Sequence, residues 1–170
     1  NMYQSAAVYT HTTSGNWGRG TPSLYVGYNE IYDGNDWAVT VSIDGTVEYN
    51  NIHDFAKYGD DTGAIYWGRN YYSRGKKLLN NYIHDIKTYN IEPTHGVHAV
   101  YLDGATGVTV SGNVIENADN RPIFSSDSGM HEICDNILIS SAESREKYPS
   151  GANLAMSTGG FYKQTAEDLK

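Results

Sequence analysis

Three short runs carry the residues best suited to chemistry. They are Ala64-Ile65-Tyr66-Trp67-Gly68-Arg69, Ala99-Val100-Tyr101-Leu102-Asp103-Gly104 and Pro122-Ile123-Phe124-Ser125-Ser126. A fourth, Thr40-Val41-Ser42-Ile43-Asp44-Gly45, has the same form. All alternate at period two, the mark of strands with two distinct faces. Val41, Ile65, Val100 and Ile123, followed by Ile43, Trp67 and Leu102, make one face apolar. Ser42, Tyr66, Tyr101 and Phe124 then point the other way, and two positions on stand Asp44, Gly68, Asp103 and Ser126. Aromatic rings beside carboxylates suit a sugar, whose C–H faces are apolar and whose edges are polar. A column of outward tyrosines that only stabilises parallel strands is the plainer alternative.

Two long loops lead into these strands. Residues 55–62 hold Asp60 and Asp61, and residues 87–97 hold His95, with His98 just beyond. Long loops on one side of a rigid scaffold commonly carry function. Asp60, Asp61, His98 and Asp103 are therefore expected along one cleft. Arg69 is expected to hold a substrate hydroxyl or to keep a neighbouring carboxylate charged. His53 and His84 recur as Ile-His-Asp, followed by Asp54 and Asp85, a set able in principle to hold a metal. Tyr32 and Glu116 fill the same slot in neighbouring units, which favours a turn ladder over a metal site. Asp127 reads as a turn residue and Arg74 to Lys77 as a solvated basic turn.

What positions these strands is an internal repeat. An apolar residue, two residues, Asn, one residue and a second apolar residue recur around Asn29, Asn50, Asn81, Asn113 and Asn136, at spacings of 21, 31, 32 and 23. A unit of about 22 residues, lengthened in two copies, fits a solenoid. Asn tolerates the left-handed bend between strands, and its amide can bond an identical amide one coil away. The expected fold is all-β, a right-handed parallel β-helix of five to six coils. Residues 1–23 are expected as a loop-rich segment, 24–140 as the helix and 141–170 as a further coil at Leu154 to Met156 with a tail. The one candidate α-helix is Lys163 to Lys170. Solenoid ends expose strand edges, so end-to-end self-association is also expected.

Composition narrows the function. The chain has 170 residues, 12 Lys plus Arg, 20 Asp plus Glu and a net charge of −8, which disfavours nucleic acid and anionic membranes. Cys134 is alone, excluding an intrachain disulfide and a Cys-rich zinc site. Tyr is used 15 times against 3 each for Phe and Trp, favouring aromatic surface with a hydroxyl handle. The chain starts at Asn1 with no signal peptide, as expected of a processed chain or a fragment.

The run Asp61-Thr62-Gly63-Ala64-Ile65-Tyr66, then Gly68-Arg69, Asn81-Tyr82-Ile83-His84-Asp85, His98 to Gly104 and Ser111-Gly112-Asn113 resembles the right-handed β-helix proteins of polysaccharide-degrading bacteria. Within these it is most similar to glycoside hydrolase family 141, over roughly Leu24 to Ile139. The resemblance implies a secreted or periplasmic protein acting on fucose- or xylose-containing plant polysaccharides. By motif position it implies Asp61 and Asp103 as the catalytic pair. Gly104 stands where relatives commonly carry a second Asp. Tyr66, Arg69, His98, Tyr101, Asp44, Asp60 and Phe124 are the expected substrate contacts. Glycoside hydrolysis needs one carboxylic acid for the leaving oxygen and a second carboxylate as base or nucleophile. Inversion is the expected outcome for Asp61 with Asp103. Asp44 and Asp103, two coils apart at roughly 9–10 Å, are a second candidate pair. Two other classes stay open: a polysaccharide lyase, for which Ca²⁺ would bridge substrate carboxylates, and a non-catalytic binding or self-assembling module. No cofactor is expected for the hydrolase.

Overall fold

The computed structural model describes residues 5–10, 23–41, 44–69, 74–90, 93–139 and the backbone of 154–156. Ser42, Ile43, most of the segment from Thr10 to Ser23, the stretch Ser141 to Ser150 and the candidate helix Lys163 to Lys170 lie outside the described residues. The chain is all-β, and its strands form three parallel sheets. The first sheet contains β1 (Ala6–Thr10), β4 (Trp37–Val41), β7 (Thr62–Gly68), β10 (Val97–Asp103), β13 (Arg121–Ser126) and β16 (Leu154–Met156). The second contains β2 (Leu24–Gly27), β5 (Gly45–Glu48), β8 (Lys77–Leu79), β11 (Thr109–Ser111) and β14 (Glu132–Cys134). The third contains β3 (Glu30–Tyr32), β6 (Asn51–His53), β9 (Tyr82–Ile86), β12 (Val114–Ala118) and β15 (Ile137–Ile139). The chain visits the sheets in strict rotation, so each coil of this solenoid-like fold takes one strand from each. Every coil thus has three strands, because the asparagine motif itself bends and contributes two short ones. β1 also extends the first sheet into the segment expected to be loop, pairing Val8 with Val39.

The apolar positions of the repeat become columns inside the coil. Val26, Val47, Leu78, Val110 and Ile133 line the second sheet in register, and Ile31, Ile52, Ile83, Ile115 and Leu138 line the third. Val39, Ile65, Val100 and Ile123 line the first. Most are fully buried, and their removal from water is the main favourable term.

The repeated asparagines form a fourth inward column. The Nδ2 of Asn29, Asn50, Asn81 and Asn113 donates to the Oδ1 of the next asparagine at 2.9–3.0 Å. The backbone N–H of each donates to the same oxygen. Nδ2 of Asn50, Asn81, Asn113 and Asn136 also reaches a carbonyl of the preceding coil, at 2.8–3.0 Å. The left-handed bend itself falls one residue earlier, on Tyr28, Tyr49, Asn80, Gly112 and Asp135, with φ between 53° and 69°. The asparagine is thereby freed to turn its amide inward.

Two expectations change in the first sheet and at the turn after it. Val39, not Val41, is the partner of Ile65. A slip of two residues keeps every inward side chain inward, so alternation alone does not distinguish the two registers. Specific contacts decide it: Thr40 Oγ1 donates to the Tyr66 carbonyl at 2.6 Å, and Thr62 Oγ1 donates to Asp36 at 2.8 Å. Asp44 therefore leaves the register of Asp103. Lys76, expected in a solvated turn, is only 2 % exposed. Burial pushes its amine down to about 8. Among the described residues no helix is long and apolar enough to cross a membrane.

Asn81 is buried between two like neighbours, whereas Asn29 ends the column and is exposed. Replacing Asn81 by Leu strands the Asn50 backbone N–H, so about 2–4 kcal/mol of stability should be lost. Asn29→Ala should cost about 1 kcal/mol or less. Urea unfolding of both variants checks this, and equal midpoint shifts would refute a cooperative ladder.

Candidate functional site

The outer face of the first sheet presents three rows across β7, β10 and β13. Gly63, His98 and Arg121 share one register; Tyr66, Tyr101 and Phe124 share the next; Gly68, Asp103 and Ser126 share the third. A Cβ on Gly63 would stand 3.0 Å from the Tyr101 Cβ, which puts this register on the outer side with the aromatics. The aromatic column gains a fourth ring, since Trp37 stacks face to face on Tyr66 with centroids 4.8 Å apart. Tyr66 meets Tyr101 edge-on at 5.4 Å, and Tyr101 meets Phe124 at 5.0 Å.

The carboxylates are tied to this column reciprocally. Tyr66, one coil before Asp103, donates its O–H to Asp103 Oδ2 at 2.6 Å. Tyr101, one coil after Asp61, donates its O–H to Asp61 Oδ1 at 3.0 Å. Each tyrosine thus serves the aspartate of the other coil. Arg69 Nε donates to the same Asp103 Oδ2 at 2.8 Å, while most of the Arg69 side chain stays in solvent. Among the described residues no cation lies within ion-pair distance of Asp61. Gly68 makes room for the Tyr66 bond: a Cβ there would meet the phenol at 2.7 Å and the Asp103 carbonyl oxygen at 2.9 Å. Burial, followed by the acceptor Asp103, pushes the Tyr66 hydroxyl well above its ordinary range. Burial and the nearby Asp103 and Asp61 carboxylates do the same for Tyr101. Both therefore remain O–H donors.

The long loops stack on each other at the corner leading into the first sheet. Tyr89 N–H donates to the Lys57 carbonyl at 2.7 Å, and Thr88 Oγ1 donates to Gly59 at 2.9 Å. Asp60 fastens them. Its Oδ1 accepts the N–H groups of Asp61, His95 and Gly96, and its Oδ2 accepts that of Thr94, all within 3.0 Å. Burial opposes its charge, but these four donors outweigh that and hold its carboxyl below the usual range. Asp61 itself sits in the left-handed region at φ 55°, which turns its side chain toward Tyr101.

Together the loops and the sheet enclose a cleft of about 740 Å³. Asp61, Arg69, Tyr101, Asp103 and Phe124 line it, so five of the expected site residues meet there. Tyr101 is only 4 % exposed and Asp103 7 %, so the aromatic column forms the cleft floor, not an open platform. Tyr66 stands behind Asp103 and acts on the cleft through it. Asp60 spends its oxygens on the loop. Asp44 lies elsewhere, at the corner into the second sheet, where its carbonyl accepts the Leu24 N–H. The structure adds Thr94, His95, Asn120 and Arg121 to the lining. Arg121 opens β13 just before Pro122 and had no charge pattern to mark it. Trp37 escaped notice because it reaches Tyr66 from three residues before the strand position beside it.

His98 is fully buried against the Tyr101 and Phe124 rings, at 5.1 and 4.6 Å, and neither ring nitrogen has a hydrogen-bond partner. Burial and the Arg121 charge push it down to about 3. The other histidine column is self-contained. Tyr32, His53 and His84 stack at 5.3 and 4.8 Å, and Nδ1 of His53 and of His84 lies 2.7 and 2.8 Å from Asp54 and Asp85. Among the described residues no three His, Cys, Asp or Glu side chains converge as metal ligands. Compared with family models, curated proteins and solved structures, the chain matches none.

His98 and His131, the latter pushed down to about 4 by burial and the Lys76 charge, are both neutral in the folded chain. The unfolded chain takes up protons at 6.5 that the native one refuses. The contribution of these two histidines to stability is therefore complete above that pH and should fall on acidification, by about 1.4 kcal/mol per pH unit for each histidine. His98→Leu should flatten the pH dependence measured by urea unfolding between pH 6.5 and 4; an unchanged slope would mean that the imidazole reaches solvent.

Proposed function

We propose that this chain is a right-handed parallel β-helix that binds a polysaccharide in the cleft and hydrolyses it through Asp61 and Asp103. The handedness follows the strong preference of parallel crossover connections. The observation that carries the activity is that two carboxylates from successive coils open on one cleft with unlike partners. Asp103 accepts from a guanidinium and a phenol on one oxygen, which leaves it suited to the carboxylate role, as base toward a water. Asp61, which accepts the Tyr101 phenol and faces no cation among the described residues, is assigned the remaining role, the acid toward the leaving oxygen. The floor rings offer the apolar surface that a sugar ring needs, and the resemblance to glycoside hydrolase family 141 points to a plant polysaccharide and to secretion.

The test is release of reducing ends from a panel of plant and microbial polysaccharides. Asp61→Asn and Asp103→Asn should each lower the rate by at least about 10²-fold, with folding checked by circular dichroism. The first-formed anomer, read by proton magnetic resonance, should be inverted. Calcium-dependent release of unsaturated, ultraviolet-absorbing products would instead establish a lyase. Absence of both products would leave a binding module.

A further inference from the structure

The cleft contains two arginines in different states. Arg69 is committed to Asp103. Arg121 is not committed to any carboxylate: among the described residues none lies within ion-pair distance of it, and its Nε is buried without a hydrogen-bond partner. Its guanidinium carbon lies over the Phe124 ring, 4.8 Å from the centroid, a contact that helps hold the side chain in place. Three groups near it do not pair with it. His98, its register partner on β10, is an uncharged ring sealed beneath the aromatics. Asp60 has turned its oxygens to four backbone donors. The neighbouring Asn120 gives its Nδ2 to the His95 carbonyl at 2.8 Å.

We infer that Arg121 forms a subsite for the carboxylate of an acidic sugar, at the end of the cleft away from Arg69. A guanidinium locked on a ring presents parallel N–H donors in a plane, and a carboxylate is the sugar substituent that matches that fork. The overall charge of −8 opposes an acidic chain only at long range, and salt screens it beyond about 8 Å at physiological ionic strength. Inside the cleft the unspent guanidinium acts at contact distance. The inference rests on the reading of the cleft as a polysaccharide site and narrows it to polymers carrying uronic acid residues.

The experiment compares one oligosaccharide in two forms, an oligogalacturonate and the same oligomer after reduction of its carboxyl groups to galactose, with a sulfated galactan oligomer as a third probe. Binding is measured by calorimetry on the full chain, in calcium-free buffer, for the unmutated protein, Arg121→Gln and Arg121→Lys. The unmutated protein should prefer the acidic form over its reduced partner by about tenfold or more. Arg121→Gln should bring that ratio close to one, and Arg121→Lys should keep only part of it. Equal binding of the two forms, or a ratio unmoved by Arg121→Gln, overturns the carboxylate subsite and leaves the polysaccharide reading intact. Preference for the sulfated probe over the carboxylate replaces the inferred anion. Failure of every oligomer to bind overturns both.

Discussion

A buried amide that donates to and accepts from an identical amide can sit only where a like residue lies directly above and below it. The column from Asn29 to Asn136 imposes that condition on its three inner members, Asn50, Asn81 and Asn113, at the same corner of every coil. Any slip would leave amide and backbone groups unpaired away from water, each at a cost comparable to a large fraction of a hydrogen bond in an apolar medium. The apolar columns on either side tolerate substitution of one aliphatic residue for another. The amide column does not, and it therefore sets the register of everything else.

That division of labour explains how coils of unequal length coexist. Between anchors the chain needs only to return to the same corner, so additional residues can leave the stack without disturbing it. The additional residues of the two long coils emerge in part just before the first sheet, where they bond to each other and where Asp60 gathers the second loop by its backbone N–H groups. The register then does the rest. It puts Tyr66 one coil from Asp103 and Tyr101 one coil from Asp61, and two crossed hydrogen bonds follow from a spacing that the asparagines determine.

Much of this was legible in the chain. The spacing of the asparagines was enough for coils, parallel sheets and inward columns, and the Tyr-Leu-Asp run was enough to put Tyr101 and Asp103 on one face. Three things were hidden, each for a physical reason. The left-handed residue precedes the asparagine because the amide is needed inward, and the positions that take the bend are Tyr, Asn, Gly and Asp, with no shared identity to read. The β4 register was open to a slip of two, since alternation has no memory of absolute position; Thr40, Trp37 and Asp36 settle it through contacts between coils. Lys76 stands in a sequence of basic residues that ordinarily marks a solvated turn, and its burial depends on how successive corners stack.

The contrast between the two aromatic stacks bears on where function resides. On the third sheet, His53 and His84 are stacked between neighbours, and their ring nitrogens are matched to nearby oxygens: Nδ1 to Asp54 and Asp85, His84 Nε2 to Asn51 at 3.1 Å. A surface whose polar atoms are already matched gains little from a ligand, because each new bond replaces an old one. On the first sheet the matching is incomplete. Arg121 has a donor without an acceptor, and among the described residues Asp61 accepts a single phenol on one of its oxygens. Buried polar groups left unmatched are costly to the folded chain, and a fold that retains them over a cleft gains most when something enters to complete them. Both faces share the same scaffold and the same ladder, so the difference lies in the side chains alone, and it favours the first sheet as the working face.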